Sequence, residues 1–188
     1  MRTENEKELF PVELVNLYMN KPKCPICRTR HPVKTCSLLS ETPAPKEYRC
    51  YIDVDGVLVG HRSPGDKRKT IAFDAVNFMH FLTSRFGCYW LSPLSSRGDD
   101  TPVVKYICRY FSNIPPLEQF LWKVRPTAFT VPRTNIFLAG EQFFWLTPEI
   151  SRTEEEDLEA RGLFNNHIPV DSRKDFNALK KARDFLRE

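Results

Sequence analysis

No run of apolar residues in this chain approaches the roughly 20 that a membrane-spanning helix needs, so no membrane partner is expected. The N-terminus, Met1-Arg2-Thr3-Glu4-Asn5-Glu6-Lys7-Glu8, is charged and lacks the apolar core of a secretory signal. The chain therefore reads as cytoplasmic. No internal repeat or low-complexity tract stands out, which argues against a repeat architecture. Nor is the charge strongly one-sided: 28 Lys and Arg stand against 24 Asp and Glu, a net charge of +4. That balance is compatible with a nucleic-acid partner without pointing to one. What the 188 residues do hold is apolar material, 41% of the chain, with fourteen Phe, six Tyr and three Trp. This suits one domain of ordinary size with a small appendage.

In a reducing compartment the six cysteines are expected free or metal-bound rather than paired as disulfides. Three of them are grouped. Cys24-Pro25-Ile26-Cys27 is followed by His31 and Cys36, a C-x2-C-x3-H-x4-C spacing. Two thiolates two residues apart can grip one face of a zinc ion, and the later His and Cys can complete a tetrahedron. Lys21, Lys23, Arg28, Arg30 and Lys34 flank the set and favour thiolate over thiol. The spacing resembles the zinc knuckle of retroviral and retrotransposon Gag proteins, one residue shorter between the second Cys and the His. The resemblance implies single-stranded nucleic acid such as RNA as a partner. Such knuckles often stack bases on aromatic side chains, and this loop has none. A zinc staple for a segment too short to have its own core, or a cysteine-bearing loop without metal, are the alternatives.

A second signal lies in Tyr51-Ile52-Asp53-Val54-Asp55-Gly56. An apolar run ends in two carboxylates one residue apart, then a glycine that permits a turn. On a strand, residues i and i+2 share a face, so Asp53 and Asp55 are expected to project together where the strand ends. Their repulsion is relieved by a cation between them, and magnesium takes oxygen ligands. An acidic strand end running into a loop is the plain alternative.

Periodicity gives the surrounding organisation. The patterns predict a helix over 10–18, a linker over 41–47, a strand over 48–54 and a basic loop over 60–69. A helix follows over 73–86, then a strand over 88–91 and a helix over 101–111. Residues 135–138 read as a helix turn or a short strand. A strand over 143–146, an acidic helix over 151–161, a strand over 166–170 and a helix over 177–186 close the chain. Glu154-Glu155-Glu156-Asp157 reads as a solvated first turn favoured by the helix dipole. Lys67-Arg68-Lys69 reads as a charged loop tip, with a phosphate contact as the alternative. Cys50 and Cys88 read as core residues. Strands alternating with helices predict an α/β fold with a parallel sheet and helices on both faces. The expected division is an N-terminal segment over 1–46, with the helix, the zinc-binding stretch and the linker, and a domain over 47–188.

The D-x-D-G pattern after an apolar strand resembles the first motif of the haloacid dehalogenase (HAD) superfamily, and the order of the later pieces resembles small bacterial HAD domains without a large cap. The resemblance covers roughly Tyr48 to the C-terminus. It implies a Rossmann-like parallel sheet and phosphohydrolase chemistry dependent on Mg2+. Asp53 would be the nucleophile and Asp55 the general acid and base. Ser92, after Trp90-Leu91, falls at the second motif and would contact the phosphoryl group. Arg133 falls where the family supplies a Lys or, less often, an Arg. The fourth motif departs from the family: Thr147-Pro148-Glu149 stands where one or two Asp residues should complete the metal site, leaving Glu149 as the nearest acid to join Asp53 and Asp55 on magnesium. Two functions follow: a phosphohydrolase acting on a nucleotide or nucleic-acid phosphate, or a degenerate HAD-like fold serving as a zinc-containing nucleic-acid-binding or assembly subunit. Substrate and oligomeric state are not legible.

Overall fold

Tyr51, Ile52, Trp90, Trp145 and Leu146 lie on short apolar runs that are buried on both faces, as parallel strands at the centre of an α/β sheet must be. A computed structural model of the chain describes residues 48–61, 68–110, 117, 120–121, 123–138 and 140–187. The expected helix over 10–18, the set Cys24, Cys27, His31 and Cys36, and the linker over 41–47 lie outside the described residues.

In chain order the elements are β1 (Arg49–Ile52), β2 (Val59–His61), β3 (Lys69–Ile71), α1 (Ala75–Arg85), β4 (Gly87–Trp90), α2 (Thr101–Cys108), β5 (Arg125–Pro126), β6 (Phe143–Thr147), α3 (Arg152–Ala160), β7 (His167–Pro169) and α4 (Ala178–Phe185). Short 3₁₀ turns cover Pro93–Ser95, Arg133–Ile136 and Phe164–Asn166. Five strands form one sheet in the order β5-β4-β1-β6-β7, every neighbouring pair parallel. Ile52 is in register with Trp90 on one side and Leu146 on the other. From β1 the chain builds outward through β4 and β5, then returns to add β6 and β7 on the opposite flank. The carboxyl end of β1 is therefore a topological switch point, where open parallel sheets bind ligands.

Alternation along the strands divides the core. Cys50, Ile52, Trp90 and Leu146 pack with Phe78, Met79 and Leu82 of α1, Val103 and Ile107 of α2, and Leu179 and Ala182 of α4. Tyr51, Phe143 and Trp145 pack with Phe137 and with Leu158 of α3. In α1 the buried Ala75, Phe78, Met79 and Leu82 follow helical spacing. Each large side chain so buried contributes about 1.5–3 kcal/mol. Cys50 and Cys88 are both buried in the core.

Two features depart from the sequence expectation. The stretch read as a basic loop over 60–69 carries the antiparallel hairpin β2–β3, pairing Val59 with Ile71 and His61 with Lys69. Its strands are too short and too polar for an alternation signal. Strand β5, of two residues and including a proline, gives none either. Residues 135–138 resolve as the end of a 3₁₀ turn rather than a strand. No helix among the described residues is long and apolar enough to cross a membrane.

Candidate active site at the end of the central strand

Asp53 follows β1 directly, and its backbone N–H still donates to Leu146 O at 2.8 Å. Its side chain is nearly buried. Oδ1 accepts from the Val54 N–H at 2.7 Å. Oδ2 accepts from Arg133 Nη1 at 3.1 Å and from Thr147 Oγ1 at 3.2 Å. Burial pushes the Asp53 carboxyl above the usual carboxylate range; the Val54 N–H, the Arg133 charge and the Ser92 and Thr147 hydroxyls each pull it back. Ser92 itself is buried just after β4.

Arg133 is fixed more firmly than a surface cation would be. Nε and Nη2 donate to the two carboxylate oxygens of Glu154 at 2.8 and 3.1 Å, a bidentate pair. Nη2 also donates to the Glu149 carbonyl at 3.3 Å, and the guanidinium lies 4.6 Å above the Trp145 ring. Glu154 is buried, not solvated as its acidic neighbourhood suggested. It belongs to a capping box in which Ser151 N donates to its carboxylate at 2.9 Å and Ser151 Oγ accepts from its backbone N–H at 3.3 Å. Burial would raise the Glu154 carboxyl, but the Arg133 hydrogen bond, together with that from the Ser151 backbone, holds it down at about 2. The S-x-x-E spacing of Ser151 and Glu154 was the signal that could have found it. Glu155 and Glu156, by contrast, are exposed.

Asp55 has its own partners. Lys69 Nζ, on β3, donates to Asp55 Oδ1 at 2.9 Å, and the Tyr106 hydroxyl, on α2, donates to the same oxygen at 2.7 Å. Lys69 also donates to the Tyr106 oxygen at 3.0 Å. Partial burial would raise the Asp55 carboxyl; the Tyr106 and Lys69 hydrogen bonds outweigh it, and the net direction is down. The same surroundings push the Tyr106 phenol up to about 12, burial first and Asp55 next. Lys69 was read as part of a charged loop tip that could meet phosphate, and Tyr106 was not singled out; their pairing with Asp55, distant in sequence, is made by the fold alone.

Thr147 ends β6 where an acid was expected. It is fully buried, and besides Asp53 its hydroxyl can serve the Glu149 carbonyl at 3.1 Å. The Glu149 side chain is exposed, and the site uses its carbonyl. Among the described residues no three of His, Cys, Asp and Glu stand together as a metal-holding group. Arg133 takes up the Glu154 carboxylate, which leaves Asp53 and Asp55 at the strand end. Those two carboxylates would fit magnesium arriving with a phosphate, since that ion is commonly bound by one or two carboxylates, waters and substrate oxygens.

No protein-family model, curated protein or solved structure matches this chain. What defines it is therefore its own architecture: an α/β protein whose parallel sheet carries an aspartate, an arginine and two hydroxyls at its switch point.

Proposed function

We propose that the protein is a HAD-like phosphohydrolase that acts through an aspartyl-phosphate on Asp53. The observation that carries this reading is the contact of Asp53 with Arg133 and Thr147 at the carboxyl end of the central strand. An Asp53 oxygen attacks phosphorus, the bond to the leaving oxygen breaks, and water then attacks the phosphoryl-aspartate and frees phosphate. Arg133 and Ser92 bind and orient the transferring oxygens. Asp55 takes the proton of the attacking water in the second step. Because Lys69 and Tyr106 favour its ionised form, Asp55 is better suited to that step than to protonating a leaving group. Substrates whose leaving group needs no proton should therefore turn over fastest. Asp53 and Asp55 would hold magnesium together with phosphate oxygens and water, and the bound ion would supply positive charge to the transferring group. Cys24, Cys27, His31 and Cys36 would hold zinc in the N-terminal segment, a module fitted to RNA or other single-stranded nucleic acid.

Thr147 favours a second reading. Without an acid at the end of β6, a HAD-like fold can retain phosphate binding and lose turnover, serving as a nucleic-acid-binding or assembly subunit. Magnesium-dependent phosphate release from nucleotides and from 5′- and 3′-phosphorylated oligonucleotides separates the two. Release that disappears in Asp53→Asn supports the enzyme. Folded protein that releases nothing across the panel, yet binds single-stranded RNA in a salt-dependent way, supports the binding module.

A further inference from the structure

Where Arg133 attends Asp53, two other cations attend Asp55. Lys69 reaches it directly from the hairpin. Arg173 comes from the loop between β7 and α4 and is placed there by several contacts. Its Nε and Nη2 donate to Asp171 at 2.9 and 3.1 Å. Its guanidinium lies against Gly56: a Cβ on that residue would sit 3.0 Å from Nε and 3.1 Å from Cζ. The intervening Ser172 is bolted to the same turn, since its N–H and its hydroxyl both donate to Gly56 O, at 2.7 and 2.9 Å. Arg173 also lies within the fields of Asp55 and Glu149. Lys174 adds a further contact to Asp171 at 3.3 Å, so three cations line this flank among Asp55, Asp171 and Glu149. The side chains of Lys69 and Arg173 are 41% and 27% exposed, open to a ligand rather than sealed in the core.

A lone phosphate at Asp53 is served by Arg133 and Ser92, leaving Lys69 and Arg173 as partly exposed cations on the Asp55 flank. We propose that Lys69 and Arg173 form a second phosphate subsite beside Asp55, so that the ligand carries two neighbouring phosphates, as a nucleoside diphosphate or the 5′-phosphorylated end of an oligonucleotide does. This rests on the reading of Asp53 as the point where a phosphate docks. Lys69, a mobile ammonium, can turn from Asp55 to a phosphate oxygen, whereas Arg173 is held in orientation by Asp171.

Calorimetric titration of the full chain with orthophosphate and with pyrophosphate, without added magnesium, tests the subsite. Pyrophosphate should bind about tenfold tighter, the effect of roughly 1.4 kcal/mol. Lys69→Met and Arg173→Gln should each shrink that ratio severalfold. Lys69→Met alters an exposed position and keeps the test decisive if the Arg173 variant does not fold. Equal binding of the two anions, or a ratio unchanged in Lys69→Met, overturns the proposal. Comparing ADP with AMP, and 5′-phosphorylated dithymidine with thymidine 5′-monophosphate, identifies the source: the pair that reproduces the preference names it, and absence of preference in both overturns the proposal. Phosphate release by the wild type and Asp53→Asn bears on the phosphohydrolase reading alone. A pyrophosphate preference in a protein that releases nothing would leave the subsite standing and remove the enzyme.

Discussion

Arg133 and Glu154 meet as a two-armed pair, Nε to Oε1 at 2.8 Å and Nη2 to Oε2 at 3.1 Å, and the third guanidinium nitrogen reaches Asp53. One half-buried cation thus serves two carboxylates, one tied to the start of α3 and one at the end of β1. Removing Glu154 leaves the cation its Asp53 contact alone among carboxylates and opens the capping box as well. Glu154→Ala should lower unfolding stability by about 3 kcal/mol, read from the urea midpoint at constant slope. Phosphate affinity should fall with it, since Arg133 loses its aim.

The same pair gives a pH signature. Glu154 sits at about 2 in the folded protein and near 4.3 in an unfolded chain. The unfolded state therefore binds the proton first on acidification. The stabilisation is full above about pH 4.3 and disappears as pH falls toward 2. Urea unfolding at a series of pH values should show that decline in the wild type, and Glu154→Gln should show a shallower one. Equal slopes would remove the Arg133 pair as its cause.

Thr147→Asp supplies the acid that β6 lacks. A second carboxylate beside Asp53 is repulsive without a cation, so the variant should melt lower than the wild type in chelator. Magnesium should restore it by several degrees, against a small change in the wild type, because a ligand bound only by the folded state raises its stability. Scanning calorimetry with and without magnesium reads both effects. If Asp53 is catalytic, phosphate release should become less demanding of magnesium concentration.

Gly60→Ala tests how the hairpin is fastened. The added Cβ would fall 2.1 Å from Ser172 Oγ and 2.7 Å from its backbone oxygen, so the hairpin and the 171–173 loop must part. A loss of about 2 kcal/mol is expected by chemical denaturation. Binding at the Lys69 and Arg173 flank should weaken too, since both cations ride on the separated pieces.

The zinc reading is tested on the full chain by metal analysis after purification and by titration of released zinc. Cys24→Ser with Cys27→Ser should abolish zinc binding. Retention of zinc by that double variant would point to other ligands.

Much of the sheet was legible because its strands are apolar runs separated by helical periodicity. The strands over 143–146 and 88–91 and the helices over 73–86 and 151–161 fall within a few residues of their observed bounds. The end of the central strand just before Asp53 was legible in the same way. The partners of Asp55 were not. Lys69, Tyr106 and Arg173 come from three separate elements, and no local pattern encodes which carboxylate each will face. Glu154 was misread for a different reason: an acid in a first helical turn is usually solvated, and only the cation opposite it makes burial favourable.

Thr147 carries one hydroxyl proton and stands between two acceptors, Asp53 Oδ2 and the Glu149 carbonyl. It can satisfy only one of them at a time. Rotation about a single C–O bond, with no movement of backbone or neighbours, therefore gives or withdraws a hydrogen bond at the very oxygen that faces Arg133. The donor strength felt by Asp53 is set by a rotor that turns on the timescale of side-chain motion, far faster than any rearrangement of the sheet that carries it.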